Sequence, residues 1–69
     1  MIWKTKRPKL QVGNILLTAT YTDSDVVYYN GYEVEAHSDG IRLYRFGCGT
    51  CCAYDDIVAD KYMVTHSVK

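Results

Sequence analysis

Residues 14–37, "NILLTATYTDSDVVYYNGYEVEAH", decide the fold, because they carry two separate signals for β-structure. In the first part, Ile15, Leu17, Ala19 and Tyr21 alternate with Leu16, Thr18, Thr20 and Thr22. A period of two is typical of a β-strand, since successive side chains point to opposite faces of a sheet. The segment "DSD" at residues 23–25 predicts the turn that ends this strand.

The second signal is Asn30-Gly31, which lies between two runs rich in β-forming residues. Asn-Gly accepts positive φ at both central positions of a type I′ turn, so the dipeptide predicts a tight hairpin between residues 26–29 and 32–37. After this turn Tyr32, Val34 and Ala36 alternate with Glu33, Glu35 and His37. We therefore expect one apolar and one solvated face there.

The segments that follow extend this pattern. "SDG" at 38–40 predicts a turn and "IRLYRF" at 41–46 a further strand, which completes an antiparallel four-strand meander. Apolar residues at helical spacing from Tyr54 onward predict a short helix near 55–61, capped by Asp55 or Asp56. The β-branched residues after it predict a last strand near 62–68. The predicted fold class is α+β, mainly antiparallel β: a four-strand meander plus a short helix and a C-terminal strand.

The chain length of 69 residues predicts one small domain, residues 1–69. Residues 1–12 read as a basic N-terminal arm, in which Pro8 imposes extended geometry on Arg7 and Trp3 anchors the arm to the body. No apolar run approaches the roughly 20 residues that cross a bilayer, and no signal peptide is evident. We expect a soluble, cytoplasmic domain without a membrane partner.

The charge is balanced overall but unevenly distributed. The first nine residues contain four basic and no acidic side chains, whereas the remaining sixty contain four basic and eight acidic ones, a net charge of −4. A basic arm can bind nucleic acid, or it can pack on its own acidic body or on another copy. Because the body is acidic, the pattern favours a protein contact over nucleic acid, which stays an alternative.

All three cysteines lie in "FGCGTCC", residues 46–52. Cys48 and Cys51 have the Cys-x-x-Cys spacing of a zinc knuckle. His37 and His66, or Cys52, would have to complete a zinc site, and the alternative ligand set is Cys48, Cys51, Cys52 and His66. A redox pair before the helix is a second alternative, although the adjacent aspartates raise a thiol pKa. The favoured interpretation is a glycine-rich loop from strand to helix, with reduced, metal-free cysteines and no cofactor.

Catalytic patterns are weak. Asp55, Asp56 and Asp60 are better explained as caps and a solvated face than as paired catalytic carboxylates. No phosphate-binding loop, nucleophile elbow or dinucleotide fingerprint is present in the sequence. We therefore expect a protein that is not an enzyme.

The seven tyrosines indicate a function in binding. Tyrosine supplies a large contact area with a polar tip and is enriched at interfaces. Strand alternation directs some of these rings outward, so a protein partner or a second copy of the chain is expected to contact them. The predicted partner-binding residues are Tyr28, Tyr29, Tyr32, Glu33 and Glu35.

The opening "MIWKTKRPKLQVGN" resembles the starts of small non-catalytic accessory proteins of tailed bacteriophages. The likeness is carried by Trp3, Arg7-Pro8 and Gly13-Asn14, and it covers about fourteen of the 69 residues. The resemblance implies that the protein acts in the host cytoplasm by binding a host protein, for example a component of antiviral defence. No functional residue is carried over from it.

Overall fold

A computed structural model describes residues 2–66 and shows a single five-stranded antiparallel sheet. The strands are β1 (Asn14–Tyr21), β2 (Val27–His37), β3 (Gly40–Arg45), β4 (Cys51–Cys52) and β5 (Lys61–His66). Their order across the sheet is β4-β3-β2-β1-β5, so β1–β4 form a meander and β5 returns to the far side of β1. The predicted antiparallel, mainly β fold is confirmed. No helix within residues 2–66 has the length and apolarity that crossing a membrane requires.

The alternation in β1 separates the two faces of the sheet. Leu16 lies opposite Tyr32 on β2 and Val64 on β5, whereas Leu17 lies opposite Gly31 and Met63. We call the side of Leu16 the covered face and the side of Leu17 the open face. The core lies on the covered face and consists of Leu16, Tyr32, Val34, Leu43, Ile57 and Tyr62.

The core is closed by two segments without regular strand structure. Leu10 of the N-terminal arm and Tyr54 and Ala59 of the segment after β4 pack against the buried cluster. Arg7 fastens the arm to that segment, because its guanidinium donates to the carbonyl of Ile57 at 2.8 Å. Leu10, Tyr54 and Ala59 thus close the core on one face of the sheet.

The arm also pairs with the edge of the sheet. The backbone N–H of Lys4 donates to the carbonyl of Tyr62 at 2.8 Å, and the N–H of Tyr62 donates back to Lys4 at 2.7 Å. The Tyr54 hydroxyl donates to the Pro8 carbonyl at 2.7 Å. The arm thus packs on its own body through contacts of Lys4, Arg7, Pro8 and Leu10.

The predicted hairpin at Asn30-Gly31 is wrong. Both residues lie inside β2, where Asn30 pairs with Thr18 and Gly31 with Leu17. The competing interaction is β1, which offers a partner along the whole of residues 27–33, and a turn at 30–31 would lose that ladder. The chain reverses earlier, at Thr22–Val26: the Thr22 N–H donates to the Val26 carbonyl at 3.0 Å, and Asp25 takes a φ of 62°.

The predicted helix near 55–61 is also wrong. Only one turn of 3₁₀-helix forms, Tyr54–Asp56, and Ala53 rather than an aspartate precedes it, without a side-chain cap. Ile57 is already extended, and the N–H of Asp60 donates to the carbonyl of Ala19. Backbone pairing with β1 therefore begins where the helix would have continued, and a seven-residue helix is too short to compete. The last strand starts at Lys61, and predicted positions 67–68 lie outside the described residues.

The predicted connection from strand to helix at the cysteines is corrected to a β-hairpin. Cys51 pairs with Tyr44 and Cys52 with Leu43, which makes a short strand at the edge of the sheet. The turn residue is Gly47, whose φ of 74° lies in the left-handed region that glycine enters without steric cost.

Candidate protein-binding surface

The open face exposes a group of large apolar side chains. Tyr29 is 68% exposed, Tyr21 51% and Phe46 49%, and Leu17 and Met63 lie half-buried between them. No described segment covers these side chains in the way that the arm and residues 53–60 cover the opposite face. Contiguous exposed apolar surface on a small protein typically marks a site of interaction.

The structure separates the three predicted tyrosines. Tyr29 lies on the open face, paired with Ala19. Tyr32 is 9% exposed and belongs to the core, so it does not contribute to an outward surface. Tyr28 is 58% exposed but pairs with Thr20 on the side of the covered face. Only Tyr29 of the three therefore joins the open face.

Glu33 and Glu35 are both exposed and lie on the open face, as the alternation predicts. Glu33 pairs with Tyr44 and with Ile15, so neither of its neighbours carries a charge. Glu35 lies opposite Arg42, but this guanidinium donates to the Asp39 carboxylate at 2.9 Å instead. Within the described residues, neither glutamate forms a salt bridge.

Asp39 holds Arg42 through a small polar network. The Asp39 carboxylate lies 2.7 Å from Nδ1 of His37, and this hydrogen bond, followed by the nearby Arg42, holds the pKa of Asp39 below its usual value. The network joins His37 of β2 to Arg42 of β3 through Asp39, so the Arg42 guanidinium is not paired with Glu35.

The arm places one aromatic ring against the open face. The Trp3 ring lies 6.1 Å from the ring of Tyr29 with an interplanar angle of 48°, a tilted aromatic pair. Ala19, which pairs with Tyr29, is 2% exposed although it lies on this face. Trp3 therefore anchors the arm from the open side, and its own exposure of 36% leaves part of the ring in solvent.

Gly31 allows the Phe46 ring to lie close to the sheet. A β-carbon at position 31 would come within 2.7 Å of Phe46 and 3.3 Å of Leu17. The Phe46 N–H also donates to the Gly31 carbonyl at 2.9 Å, which fixes the backbone beneath the ring. Gly31, which the sequence predicts in a turn, thus provides the backbone surface on which the Phe46 ring packs.

A shallow groove of about 690 Å³ opens beside Phe46. Its lining residues include Glu33, Glu35, Tyr44, Phe46 and Cys48. Arg45 is the single cation among its lining residues, and by register it belongs to the covered side of β3, opposite Tyr32. The groove combines aromatic surface with two carboxylates.

The cysteines do not converge. Cys51 is exposed and pairs with Tyr44 on the open face, whereas the neighbouring Cys52 is half-buried on the other face, its thiol 3.6 Å from the Leu43 carbonyl. His66 ends β5 at the opposite edge of the sheet from β4, four strand spacings or about 19 Å away. The alternative set Cys48, Cys51, Cys52 and His66 is thus not assembled, and no group of three or more metal-binding side chains occurs among residues 2–66.

Two of the thiols differ in acidity. The Thr50 hydroxyl, 3.2 Å from the Cys48 sulfur, is the main cause that lowers the pKa of Cys48. Burial, and then the charge of Asp56, raises the pKa of Cys52. Cys48 is therefore the more readily ionised thiol, while Cys52 behaves as a small core side chain.

Sequence reasoning missed Leu17, Phe46 and Met63 as parts of the candidate surface. The alternation in β1 indicates that Leu16 and Leu17 point to different faces of the sheet. It does not indicate which of these two apolar faces is covered. That choice depends on where the arm and residues 53–60 pack, which is a long-range property.

Three comparisons with known proteins, against family models, curated sequences and solved structures, found no match.

Proposed function

We propose that the chain is a non-enzymatic protein-binding module whose open face is the contact surface. The observation that carries this proposal is the asymmetry of the sheet: one face has a closed core, and the other presents Tyr29, Phe46 and Leu17 to solvent. Aromatic side chains on a rigid scaffold are the typical anchors of protein interfaces. Burial of this face by a partner would give the second side of the sheet a cover that residues 2–66 do not supply.

The nature of the partner is proposed from the resemblance of the N-terminal sequence to phage accessory proteins. On that basis the partner is a host protein, and the chain inhibits it by occupying a surface that the host protein needs, for example in antiviral defence. A small sheet with one exposed aromatic face suits the obstruction of another protein's surface.

The basic arm supports a protein contact more than a nucleic-acid contact. Arg7 is engaged within the chain, by the Ile57 carbonyl and by the Asp55 carboxylate at 3.6 Å. Its guanidinium also lies 5.7 Å from the centre of the Tyr54 ring. One of the four basic groups of the arm is thus committed to the fold, which weakens a phosphate-binding role.

Adjacent tyrosines provide the test. A photo-crosslinking amino acid at position 29 is expected to capture a partner in host cells, whereas the same group at position 28 is not. With the captured protein purified, Tyr29→Ala should weaken binding by about 2 kcal/mol or more, a factor of about 30. Tyr28→Ala is the matched control, because this ring is similarly exposed but lies on the other side of the strand.

Three results would contradict the proposal. Equal losses for Tyr28→Ala and Tyr29→Ala would mean that the open face is not the contact surface. A stable dimer that Tyr29→Ala converts to monomer, measured by sedimentation, would assign the face to self-association. Sub-micromolar DNA affinity at physiological salt that depends on Lys4, Lys6 and Lys9 would make the chain a nucleic-acid binder.

A further inference from the structure

The open face is divided into an apolar and an acidic part along one strand. Gly31, Glu33 and Glu35 follow one another on the same side of β2. Same-face residues of a strand lie about 6.6 Å apart, twice the rise per residue. The first position, with the Phe46 ring above it and Leu17 beside it, is apolar, and the next two are carboxylates.

Both carboxylates are available to a ligand. Neither forms a salt bridge within the described residues, because Arg42, the cation opposite Glu35, is held by Asp39. Two negative charges about 6.6 Å apart repel each other, and a cation that binds there relieves that repulsion. The chain outside the arm has a net charge of −4, so the surrounding field also favours a cation.

The chain's own arm shows what this face accepts. The segment Ile2-Trp3-Lys4 is aromatic and basic, and it places Trp3 against Tyr29 while Lys4 pairs with the edge of β5. Trp3 reaches only the Tyr29 end of the face. The other end, at Phe46 and Glu33, carries the open groove of about 690 Å³, which Val12 of the arm borders.

Building on the proposed function, we propose that this end of the open face binds an extended protein segment of the pattern aromatic-x-basic. The aromatic ring lies on Leu17 and the Phe46 ring, and the basic side chain, two residues later, lies at Glu33 and Glu35. The spacing of two follows from the equal rise of an extended ligand and of β2. Arginine fits better than lysine, because its planar guanidinium can pair with a carboxylate and stack on the Tyr44 or Phe46 ring.

The test uses the full chain and two short peptides, acetyl-Gly-Trp-Ser-Arg-Gly-amide and the same peptide with glutamate in place of arginine. Amide shifts of the ¹⁵N-labelled protein are followed as each peptide is added. We expect the arginine peptide to shift residues 31, 33 and 46 and to bind on the order of threefold or more tightly than the glutamate peptide. The double variant Glu33→Gln/Glu35→Gln should remove that preference.

A matched control is Asp23→Asn/Asp25→Asn, which removes two exposed carboxylates from the β1–β2 turn and should leave the preference unchanged. Equal binding of both peptides, shifts confined to other residues, or no shifts at millimolar peptide would overturn the proposal. Shifts of the same residues on raising the protein concentration alone would instead assign the site to a second copy. If Tyr29→Ala abolishes partner binding while Glu33→Gln/Glu35→Gln does not, this inference fails and the proposed function stands.

Discussion

Two adjacent leucines of β1 show how differently the two faces of this sheet are used. Leu16 is completely buried, whereas Leu17 is half-buried on the open face. Both residues are leucines of the same strand, and each is paired with a residue of β2 and a residue of β5. The difference arises because Leu10 of the arm and Tyr54 and Ala59 pack against the core on the side of Leu16, whereas on the open face the arm contributes Trp3, at the Tyr29 end. Burial in this small protein is thus decided by where two irregular segments fold back, rather than by local sequence.

Truncation of these two leucines is the strongest test of this comparison. Leu16→Ala should lower the free energy of unfolding by about 3 kcal/mol, since it leaves a cavity in a closed core. Leu17→Ala removes the same atoms from a surface that solvent already reaches, so a loss of about 1 kcal/mol or less is expected. Urea unfolding of both variants measures the difference. Equal losses would show that the open face is covered in solution, by a second copy or by another segment.

Alkaline pH tests the burial of Tyr32 on the covered face. Burial raises the pKa of Tyr32 above its ordinary value of 10.0. The folded state therefore keeps the neutral phenol while the unfolded state ionises, so the stabilisation is complete below pH 10 and is lost as the pH rises through the folded-state pKa. Tyr32→Phe should flatten this loss of stability in urea unfolding at pH 9–11. An unchanged pH dependence in Tyr32→Phe would contradict the burial of this phenol in the folded state.

The sequence revealed the strands better than their connections. Period-two alternation in residues 14–22 and 32–37 reports a local property, the direction of successive side chains. The structure has residues 14–21 as β1 and residues 32–37 as part of β2. The meaning of Asn30-Gly31 depends on whether a full-length partner strand exists, which short-range patterns do not contain. The exposed carboxylates of Glu33 and Glu35 followed from alternation, but the roles of Phe46 and Trp3 depend on contacts across the sheet.

The glycines of the β3–β4 loop give a smaller, local effect. Gly47 has a φ of 74°, so Gly47→Ala should destabilise the protein by about 1 kcal/mol although nothing lies within 4 Å of the added carbon. Gly49→Ala is the control: its surroundings are equally open, and its backbone is not in the left-handed region. Thermal unfolding of both variants decides the matter. A larger loss for Gly49→Ala would mean that the turn is formed at the other glycine.

Gly31→Ala should have the smallest effect on stability and is informative for that reason. In a type I′ turn this change would cost about 1 kcal/mol or more, because a β-carbon opposes positive φ. Within β2 the same change restricts the unfolded chain, which stabilises by about 0.4–1 kcal/mol. The new carbon also displaces the Phe46 ring, which is half-exposed and has room to rotate into solvent. The net change in the free energy of unfolding should therefore lie within about 0.5 kcal/mol. The urea midpoint should barely move, while the methyl signals of Leu17 shift as the aromatic ring leaves. A loss well above 1 kcal/mol with unchanged Leu17 signals would restore the turn at Asn30-Gly31 and remove the floor on which the open face is built.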